Sequence, residues 1–437
     1  MKKIITIAAA VIALATASHA QSERIFSIST GPGEDASSQM GISWATDTLL
    51  THSRLLLAEE SAQGWDDAIS IQPQQQERCT AFDGVWSDNA EGEEFYENAI
   101  FTKCGVMLTG LKPDTRYRYV IKAENGECSS VHHFKTAGAA KWSACLISDF
   151  HSYPPLQSRL DAAMAMIGTV QKYDPSVSWV LSPGDVVAWG GSYSFWKRLF
   201  EEKKFEELMW GRVNGNHDNW TKESQVTHDF DIPNDYFLGT SYFPQNGYWP
   251  EMGVCYHFRY GNTLFLMLNT EDMHKSGEFE AASQWARSVV DNARRSANPP
   301  TFVVACMHWE WFIGTNGRTS EYGEWAPVFD EMGVDLALAG NNHVYLRTLP
   351  LYKGQKTDGR RNGTVYMQTS SADDSRGREI SKTEFFNSDL IEKRWSEGAH
   401  TVSAIHMAVT PRKINLTLLD REGNEIDHCV VYAKKKR

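Results

Sequence analysis

Five apolar stretches beyond residue 140 each lead into a small group of Asp, Asn or His residues, and this pattern constrains the fold more than any other feature of the chain. Short apolar runs of this kind are typical of buried strands. The polar groups that follow the five stretches are Asp149 and His151, Asp185, Asn216 to Asp218, His308, and Asn341 to His343. Because α/β domains place functional side chains at the carboxyl ends of strands, the pattern predicts one site built from five strand ends.

Helix-like segments alternate with the predicted strands. We predict helices near 156–172, 194–209 and 278–296, and strands at 142–148, 177–182, 263–269, 301–307 and 334–339. The last quarter of the chain returns to strand-like runs, which we expect to complete a second sheet. Since alternation of strands and helices indicates stacked layers, we predict a layered α/β/β/α domain over residues 141–437.

Residues 24–137 show a different pattern, of short strands with alternating apolar positions. The segment 108–121 contains Leu111, Pro113, Thr115 and Tyr117 at the spacing of a tyrosine corner, a turn in which the Tyr hydroxyl bonds to nearby backbone. This pattern resembles a fibronectin type III-like β-sandwich. We expect the sandwich to play a structural role beside the site, and residues 137–140 to form the linker.

The first twenty residues have the pattern of a secretory signal peptide. Two lysines precede an apolar run over 4–15, and residues 18–20 read Ser-His-Ala, a small-x-small cleavage motif. The apolar run is too short to cross a membrane, and no later stretch is long enough. We therefore predict removal of residues 1–20 and export to the periplasm or the medium, with no transmembrane segment.

The net charge and the positions of the cysteines give further expectations about binding partners and about disulfides. The formal net charge of −12 argues against a scaffold for nucleic acid. In an oxidising compartment the seven cysteines permit one disulfide among Cys79, Cys104 and Cys128, with the pairing left open. Cys145 and Cys306 lie inside apolar runs and are predicted to be packed thiols.

The residue types at the strand ends indicate metal chemistry. Carboxylate, amide oxygen and imidazole are the ligands of hard and borderline divalent ions. Two such ions about 3.5–4 Å apart, bridged by one carboxylate, can hold a phosphoryl group and a hydroxide nucleophile. A structural zinc site is disfavoured, because the set lacks the paired cysteine spacing of such sites.

The ordered motifs SDFH, GD, GNHD, ACMH and GNNH resemble those of the calcineurin-like metallophosphoesterase superfamily. With the N-terminal sandwich and the stretch AGNNHVYLRT, the chain is most similar to the purple acid phosphatases. The resemblance implies an exported phosphatase that hydrolyses phosphomonoesters by attack of a metal-bound hydroxide. Two metal ions are expected as cofactors, with Fe, Zn or Mn favoured and Mg or Ca as alternatives. The expected partner is a small phosphate ester.

The same resemblance implies a role for each matching residue. The implied metal ligands are Asp149, His151 and His343 for the first ion, Asp185 as the bridge, and Asn216, His308 and Asn341 for the second ion. His217 is the implied leaving-group acid or phosphate contact, with Asp218 orienting its ring. Apart from the resemblance, Arg318 is a candidate phosphate contact, although its loop position also suits a solvent-exposed residue.

Two positions depart from the family pattern. Asn341 replaces the first His of the GHxH motif, so we predict a weaker second site that tolerates harder ions. Ala188 stands where purple members carry the Tyr that binds iron, so we predict that the purple colour is absent and that His151 supplies the missing ligand. Asn342 occupies the variable position of the motif and receives no ligand role.

Two other functions stay open at the level of the sequence. A phosphodiesterase or nucleotidase could use the same residues on the same scaffold. A non-catalytic member that binds a ligand or a partner without turnover is suggested by Asn341. The retention of the other metal-ligand residues argues against this loss of activity.

Overall fold

The computed structural model describes residues 24–85, 95–219, 242–248, 254–269, 278–313, 317–380 and 389–434. The predicted signal peptide, residues 1–20, lies outside the described residues. The N-terminal strands are β1 (Ile25–Pro32), β2 (Met40–Thr46), β3 (Ser53–Glu59), β4 (Ile69–Ile71), β5 (Gln75–Val85), β6 (Phe95–Leu108), β7 (Arg116–Ala123) and β8 (His132–Lys135).

These strands form two four-stranded antiparallel sheets, in the orders β1-β2-β6-β5 and β4-β3-β7-β8. Alternate side chains from both sheets, among them Trp44, Leu55 and Tyr119, are fully buried between them. The hydroxyl of Tyr117 accepts a hydrogen bond from the Lys112 backbone N–H at 2.9 Å. The predicted β-sandwich and its tyrosine corner are confirmed.

The second half of the chain contains fifteen described strands and five described α-helices. The strands are β9 (Trp142–Leu146), β10 (Val177–Ser182), β11 (Met209–Arg212), β12 (Tyr256–Tyr260), β13 (Thr263–Met267), β14 (Phe302–Cys306), β15 (Leu336–Ala339), β16 (Tyr345–Thr348), β17 (Leu351–Tyr352), β18 (Gln355–Lys356), β19 (Val365–Gln368), β20 (Ile391–Trp395), β21 (Ser403–Val409), β22 (Lys413–Asp420) and β23 (Glu425–Tyr432). The helices are α1 (Gln157–Tyr173), α2 (Tyr193–Phe200), α3 (Lys203–Glu207), α4 (Glu278–Arg295) and α5 (Ser320–Met332).

Two mixed sheets form the centre of this domain. A six-stranded sheet has the order β11-β10-β9-β21-β22-β23, in which β9, β10 and β11 run parallel. A seven-stranded sheet has the order β12-β13-β14-β15-β19-β16-β20, in which β13, β14, β15 and β19 run parallel. The last-quarter strands β21, β22 and β23 complete the first of these sheets, where β21 pairs with β9.

Side-chain alternation along the strands places each sheet between two apolar layers. On β14, Val304 belongs to the core shared with the six-stranded sheet and α1, whereas Val303 and Ala305 belong to the core under α4 and α5. Strands buried on both faces explain the nearly continuous apolar runs in the sequence. The predicted α/β/β/α layering is confirmed.

Two predictions about local structure are corrected. The helix predicted at 194–209 is two short helices, α2 and α3, and β11 already begins at Met209. Helix α5 was not predicted; it begins after Thr319, whose side chain accepts a hydrogen bond from the Tyr322 N–H, and ends at Gly333 with φ +61°. Among the described residues, no helix is both long and apolar enough to span a membrane.

The disulfide that the sequence permits is not formed, since Cys79, Cys104 and Cys128 are all free thiols. In the β5–β6 ladder Cys79 lies opposite Phe101, whereas Cys104 lies opposite Gln76. The first two cysteines are therefore out of register by three residues, which is too far for a bridge between neighbouring strands. Cys145 and Cys306 are completely buried, as predicted for packed thiols.

Candidate metal centre

The carboxyl ends of the parallel strands in the two sheets meet at one place. The loops after β9, β10 and β11 bring side chains from the six-stranded sheet, and the loops after β14 and β15 bring side chains from the seven-stranded sheet. Across this junction the Asn341 N–H donates to Asp149 Oδ1 at 2.9 Å. In the same place His308 Nε2 lies 3.3 Å from Asp185 Oδ2. The five strand ends therefore form one buried site, as the sequence pattern predicts.

The backbone at this site is held in an uncommon conformation. Eight described non-glycine residues have positive φ, and five of them are predicted site residues: Asp149 (+54°), His151 (+40°), Asp185 (+52°), Asn341 (+64°) and His343 (+60°). Left-handed backbone in non-glycine residues costs free energy and is concentrated at functional sites. The strand-end loops are thus folded to aim side chains inward at a cost that the surrounding sheets offset.

Two glycines permit the loops to approach one another closely. A Cβ on Gly215 would lie 2.2 Å from Asp185 Oδ1, and a Cβ on Gly340 would lie 2.7 Å from Asp149 Oδ2. Both distances are shorter than any stable contact, so any side chain at these positions would displace a carboxylate. The glycines that begin the GNHD and GNNH motifs therefore make room for the two buried Asp residues.

Four side chains define a first candidate metal position. One donor atom each from Asp149, His151, Asp185 and His343 lies within 4.8 Å of the others, and all four residues are buried. Two carboxylates and two imidazoles form a ligand set suited to borderline and hard divalent ions. A second candidate position is defined by Asp185, Asn216 and His308. There His308 Nε2 lies 3.1 Å from Asn216 Oδ1 and 3.3 Å from Asp185 Oδ2. Asp185 is shared by both positions.

The hydrogen bonds of the imidazoles show that both positions suit a cation. His308 Nδ1 lies 2.8 Å from the Pro183 carbonyl and His343 Nδ1 lies 2.8 Å from the Arg376 carbonyl, so both nitrogens must donate a proton. Their Nε2 atoms then carry lone pairs, and these lone pairs face carboxylate or amide oxygens. Acceptors that face one another without a proton repel, unless a positive ion lies between them. The donors present therefore fit metal ions at both positions.

The electrostatics of the buried carboxylates support the same conclusion. Burial raises the pKa of Asp149 to about 6, and the nearby Asp185 carboxylate adds to this shift. Although burial opposes it, His308 and His217 hold the pKa of Asp185 well below its usual range. Burial lowers the pKa of His343 well below its ordinary value, which keeps the ring neutral. Neutral imidazole is the form that binds a metal ion.

Comparison with known proteins identifies the family. Residues 26–136 match the family described as "Purple acid Phosphatase, N-terminal domain". Residues 144–345, which include every predicted metal-ligand residue, match the family described as "Calcineurin-like phosphoesterase". The chain therefore contains a calcineurin-like phosphoesterase domain at residues 144–345.

Solved structures show that this chain shares its fold with proteins of very different sequence. It superposes on purple acid phosphatase PPD1 from yellow lupin seeds with a TM-score of 0.71 at 14% identity, over 94% of this chain and 74% of that one. A structure of PhoD gives a TM-score of 0.60 at 12% identity, over 95% of this chain and 94% of that one. At these identities the similarity establishes the fold alone.

Two curated relatives, both uncharacterized proteins of Mycobacterium tuberculosis, are 26% identical to this chain over 190 residues. The alignment covers 38% of this chain and 33% of each relative, so the chain spans about a third of the length of the proteins it matches.

His217 and Asp218 differ in the contacts they make. His217 Nδ1 donates to the Ala188 carbonyl at 2.9 Å, and the ring lies edge-on to His151 with centroids 4.6 Å apart. The Asp218 carboxylate accepts backbone N–H groups of Val186, Val187 and Gly215 at 2.9–3.0 Å. The carbonyl of Ala188 therefore orients the His217 ring, where the sequence assigned that task to Asp218. Asp218 instead holds together the two loops that carry Asp185 and Asn216.

Arg318, a predicted phosphate contact, is exposed and donates to the Gly354 carbonyl at 3.2 Å. Its guanidinium also lies over the Tyr322 ring, at 5.4 Å from the centroid. These partners belong to a surface turn and to α5, so the structure does not bring Arg318 into contact with the metal-ligand residues. The solvent-exposed alternative given for this residue is the one observed.

Three residues that sequence reasoning missed contact the site. Asp373 Oδ2 accepts from His151 Nδ1 at 3.0 Å, and the Arg376 side chain donates to His217 Nε2 at 3.2 Å. The buried carboxylate of Glu310 accepts from the side-chain amide of Asn341. Asp373 and Arg376 follow β19, which runs parallel to β15. Five or more residues separate these two from the end of β19, so the strand-end pattern in the sequence did not mark them.

Asp373 orients a metal-ligand candidate, and its replacement should weaken the first metal position. Carboxylates that accept from the outer nitrogen of a ligating His typically contribute roughly 10–100-fold to metal affinity. We expect Asp373→Asn to lower first-site Mn²⁺ affinity by that factor, measured by calorimetric titration of apo protein. The matched control is Asp374→Asn, because the carboxylate of Asp374 contacts Ser158, on the first turn of α1. Equal affinities in Asp373→Asn and wild type would contradict the assignment.

The contact between Glu310 and Asn341 determines how the Asn341 amide is turned. A carboxylate only accepts hydrogen bonds, so the amide nitrogen faces Glu310 and the amide oxygen Oδ1 faces away from it. Asn341→His should then place an imidazole whose outer nitrogen donates to Glu310 and whose other nitrogen can ligate. We expect this variant to bind Zn²⁺ at the second position roughly tenfold or more tightly. Metal titration of apo protein measures this, and unchanged second-site affinity and metal preference would mean that Asn341 is not a ligand.

Proposed function

We propose that the protein is an exported phosphatase that uses two metal ions to hydrolyse phosphomonoesters. The observation that carries this proposal is the pair of adjacent positions, sharing Asp185, at which imidazole lone pairs and oxygens face one another. Bound at these positions, metal ions would supply Lewis-acid stabilisation of the phosphoryl group and lower the pKa of a water molecule. The ions that suit carboxylate, amide and imidazole donors are Mn, Zn, Fe and, at the second position, Mg or Ca.

The remaining residues position groups around that chemistry. The His217 backbone N–H donates to Asp185 Oδ1 at 2.9 Å, which fixes the shared carboxylate. Because His217 Nδ1 is committed to the Ala188 carbonyl, only Nε2, which here accepts from Arg376, could take up a proton and pass it to a leaving alkoxide. The burial of Asp149, Asp185 and His308 keeps bulk water out of the metal positions. These residues are all retained, which supports turnover over binding alone.

The test is a metal and substrate screen on the mature chain. Protein stripped of metal would be reconstituted with Mn, Zn, Fe, Mg or Ca and assayed on a phosphomonoester and a phosphodiester that share one aryl leaving group. We expect activity only after metal addition, with the monoester preferred. Preference for the diester would replace the proposal with a phosphodiesterase, and no turnover of either ester with any ion would refute catalysis.

Export rests on residues 1–20 alone. A reporter enzyme that is active only outside the cytoplasm, fused after residue 25, should be active when the charged and apolar segment is present. Deletion of residues 2–15 should abolish the reporter signal. Full activity of the deleted fusion would contradict export through this segment.

A further inference from the structure

Arg376 is fixed next to the first metal position by both of its backbone groups. Its N–H donates to Asp373 Oδ1 at 2.7 Å, and its carbonyl accepts from His343 Nδ1 at 2.8 Å. Asp373 in turn accepts from His151, so the turn 373–376 contacts two metal-ligand candidates. The position of this arginine is therefore coupled to the site and does not depend on a flexible surface loop.

The charge of the Arg376 side chain is stabilised by the Asp185, Asp373 and Asp149 carboxylates without a direct ion pair. The side chain is half-buried, and among the described residues no carboxylate forms an ion pair with it. Its observed side-chain contact is with His217 Nε2 at 3.2 Å. By contrast, Arg347 donates to both oxygens of Asp427, at 2.7 and 3.1 Å. A guanidinium has five N–H donors, so a single contact with an imidazole leaves most of them available.

Metal ions at the two adjacent positions would make the position of the charged Arg376 side chain less favourable in the absence of a ligand. Two further cations close to a half-buried guanidinium repel it, and the repulsion is strong where water is scarce. The nearby carboxylates offset part of this repulsion, and an anion between the arginine and the metals would offset more of it. A guanidinium offers paired N–H groups that match two oxygens of a phosphoryl group.

We propose that Arg376 binds the phosphoryl oxygens of the substrate and makes the site favour a terminal, doubly charged phosphate over a diester. The inference deepens the proposed function and rests on it for the identity of the reacting group. A monoester has three terminal oxygens, so two can contact Arg376 while the third faces the metals. A diester has one negative charge and two unbridged oxygens, and it cannot satisfy both sets of contacts as well.

The first test measures binding of inorganic phosphate to Mn²⁺-loaded protein by calorimetry. Loss of a charge-assisted contact should weaken phosphate binding by roughly 10–100-fold in Arg376→Gln. The kcat/KM for the monoester should fall by more than that for the diester. Arg378→Gln is the matched control. It removes the same charge from an exposed side chain that lies two residues further along the chain. Unchanged phosphate affinity in Arg376→Gln with full metal content would overturn the proposal.

A second test uses wild-type protein, so it does not depend on how a variant folds. Phenylglyoxal modifies accessible arginines, and peptide mass spectrometry reports each site. With Mn²⁺ bound, phosphate should protect Arg376 and leave Arg378 and Arg318 reactive. Modification of Arg376 at the same rate with and without saturating phosphate would overturn the proposal.

The two tests distinguish this inference from the proposed function. Phosphate binding through Arg376 in a protein that hydrolyses neither ester would support the inference and refute the proposed hydrolysis. Monoester turnover with phosphate affinity unaffected by Arg376→Gln would support the hydrolysis and overturn the inference.

Discussion

Asp185→Asn should lose metal binding and activity together while the fold is retained. Asp185 is the carboxylate shared by both positions: its Oδ2 lies 3.1 Å from His151 Nε2 and 3.3 Å from His308 Nε2. Asparagine has the same shape and still accepts from the His217 N–H, but it removes the negative charge between the two ions. We expect metal affinity to fall by more than the roughly 10–100-fold that loss of an outer hydrogen-bond partner causes.

The measurement is metal content after dialysis against limiting Mn²⁺, together with thermal unfolding of the apo forms. Apo Asp185→Asn should unfold at nearly the wild-type temperature, because the substitution removes a charge from beside Asp149 and keeps the backbone contact. A suitable control is Asp174→Asn. Asp174 lies at the C-terminal end of α1, where its carboxylate pairs with His406 Nε2 at 2.7 Å. Near-wild-type metal content in Asp185→Asn would show that this residue does not bridge two ions.

His217→Ala should lower the rate of ester hydrolysis by a large factor that depends on the leaving group. General acid catalysis contributes roughly 10²–10⁴-fold to rate. We expect losses of that size for an alkyl phosphate, whose leaving group needs a proton, and much smaller losses for a nitrophenyl phosphate. The backbone N–H that contacts Asp185 is kept in this variant, so metal content should not change.

Rates for a series of phosphate monoesters with different leaving-group pKa values would measure this dependence. In wild type the rates should vary little across the series, whereas in His217→Ala they should fall steeply as the leaving-group pKa rises. Parallel losses for all esters, with metal content intact, would make His217 a binding residue and not an acid.

The fold and most of the site follow from local features of the sequence. Apolar runs that end in polar residues specify parallel strands, and parallel strands in adjacent sheets bring their ends together. This is why Asp149, Asp185 and His308 could be placed in one site without a structure. The family resemblance then fixed which side chains meet at each position. The structure reproduces these groupings through direct contacts, except for Asn341, whose side-chain amide contacts Glu310.

The features that could not be predicted depend on how distant segments pack. Glu310 lies in a segment with a loop-like sequence, and its contact with Asn341 exists only because β14 and β15 are neighbours. The family resemblance implied that Asp218 orients the His217 ring, yet its carboxylate accepts from backbone groups on a different loop. Asp373 and Arg376 were missed because five or more residues separate them from the end of β19.

The central claim, that two metal ions share one site and support ester hydrolysis, is tested most directly by counting ions against activity. Apo protein would be titrated with Mn²⁺ while bound metal and phosphomonoester turnover are measured on the same samples. We predict two bound ions per chain, with turnover that rises only as the second position fills. Full turnover at one bound ion, or turnover that persists in protein free of metal, would contradict the account.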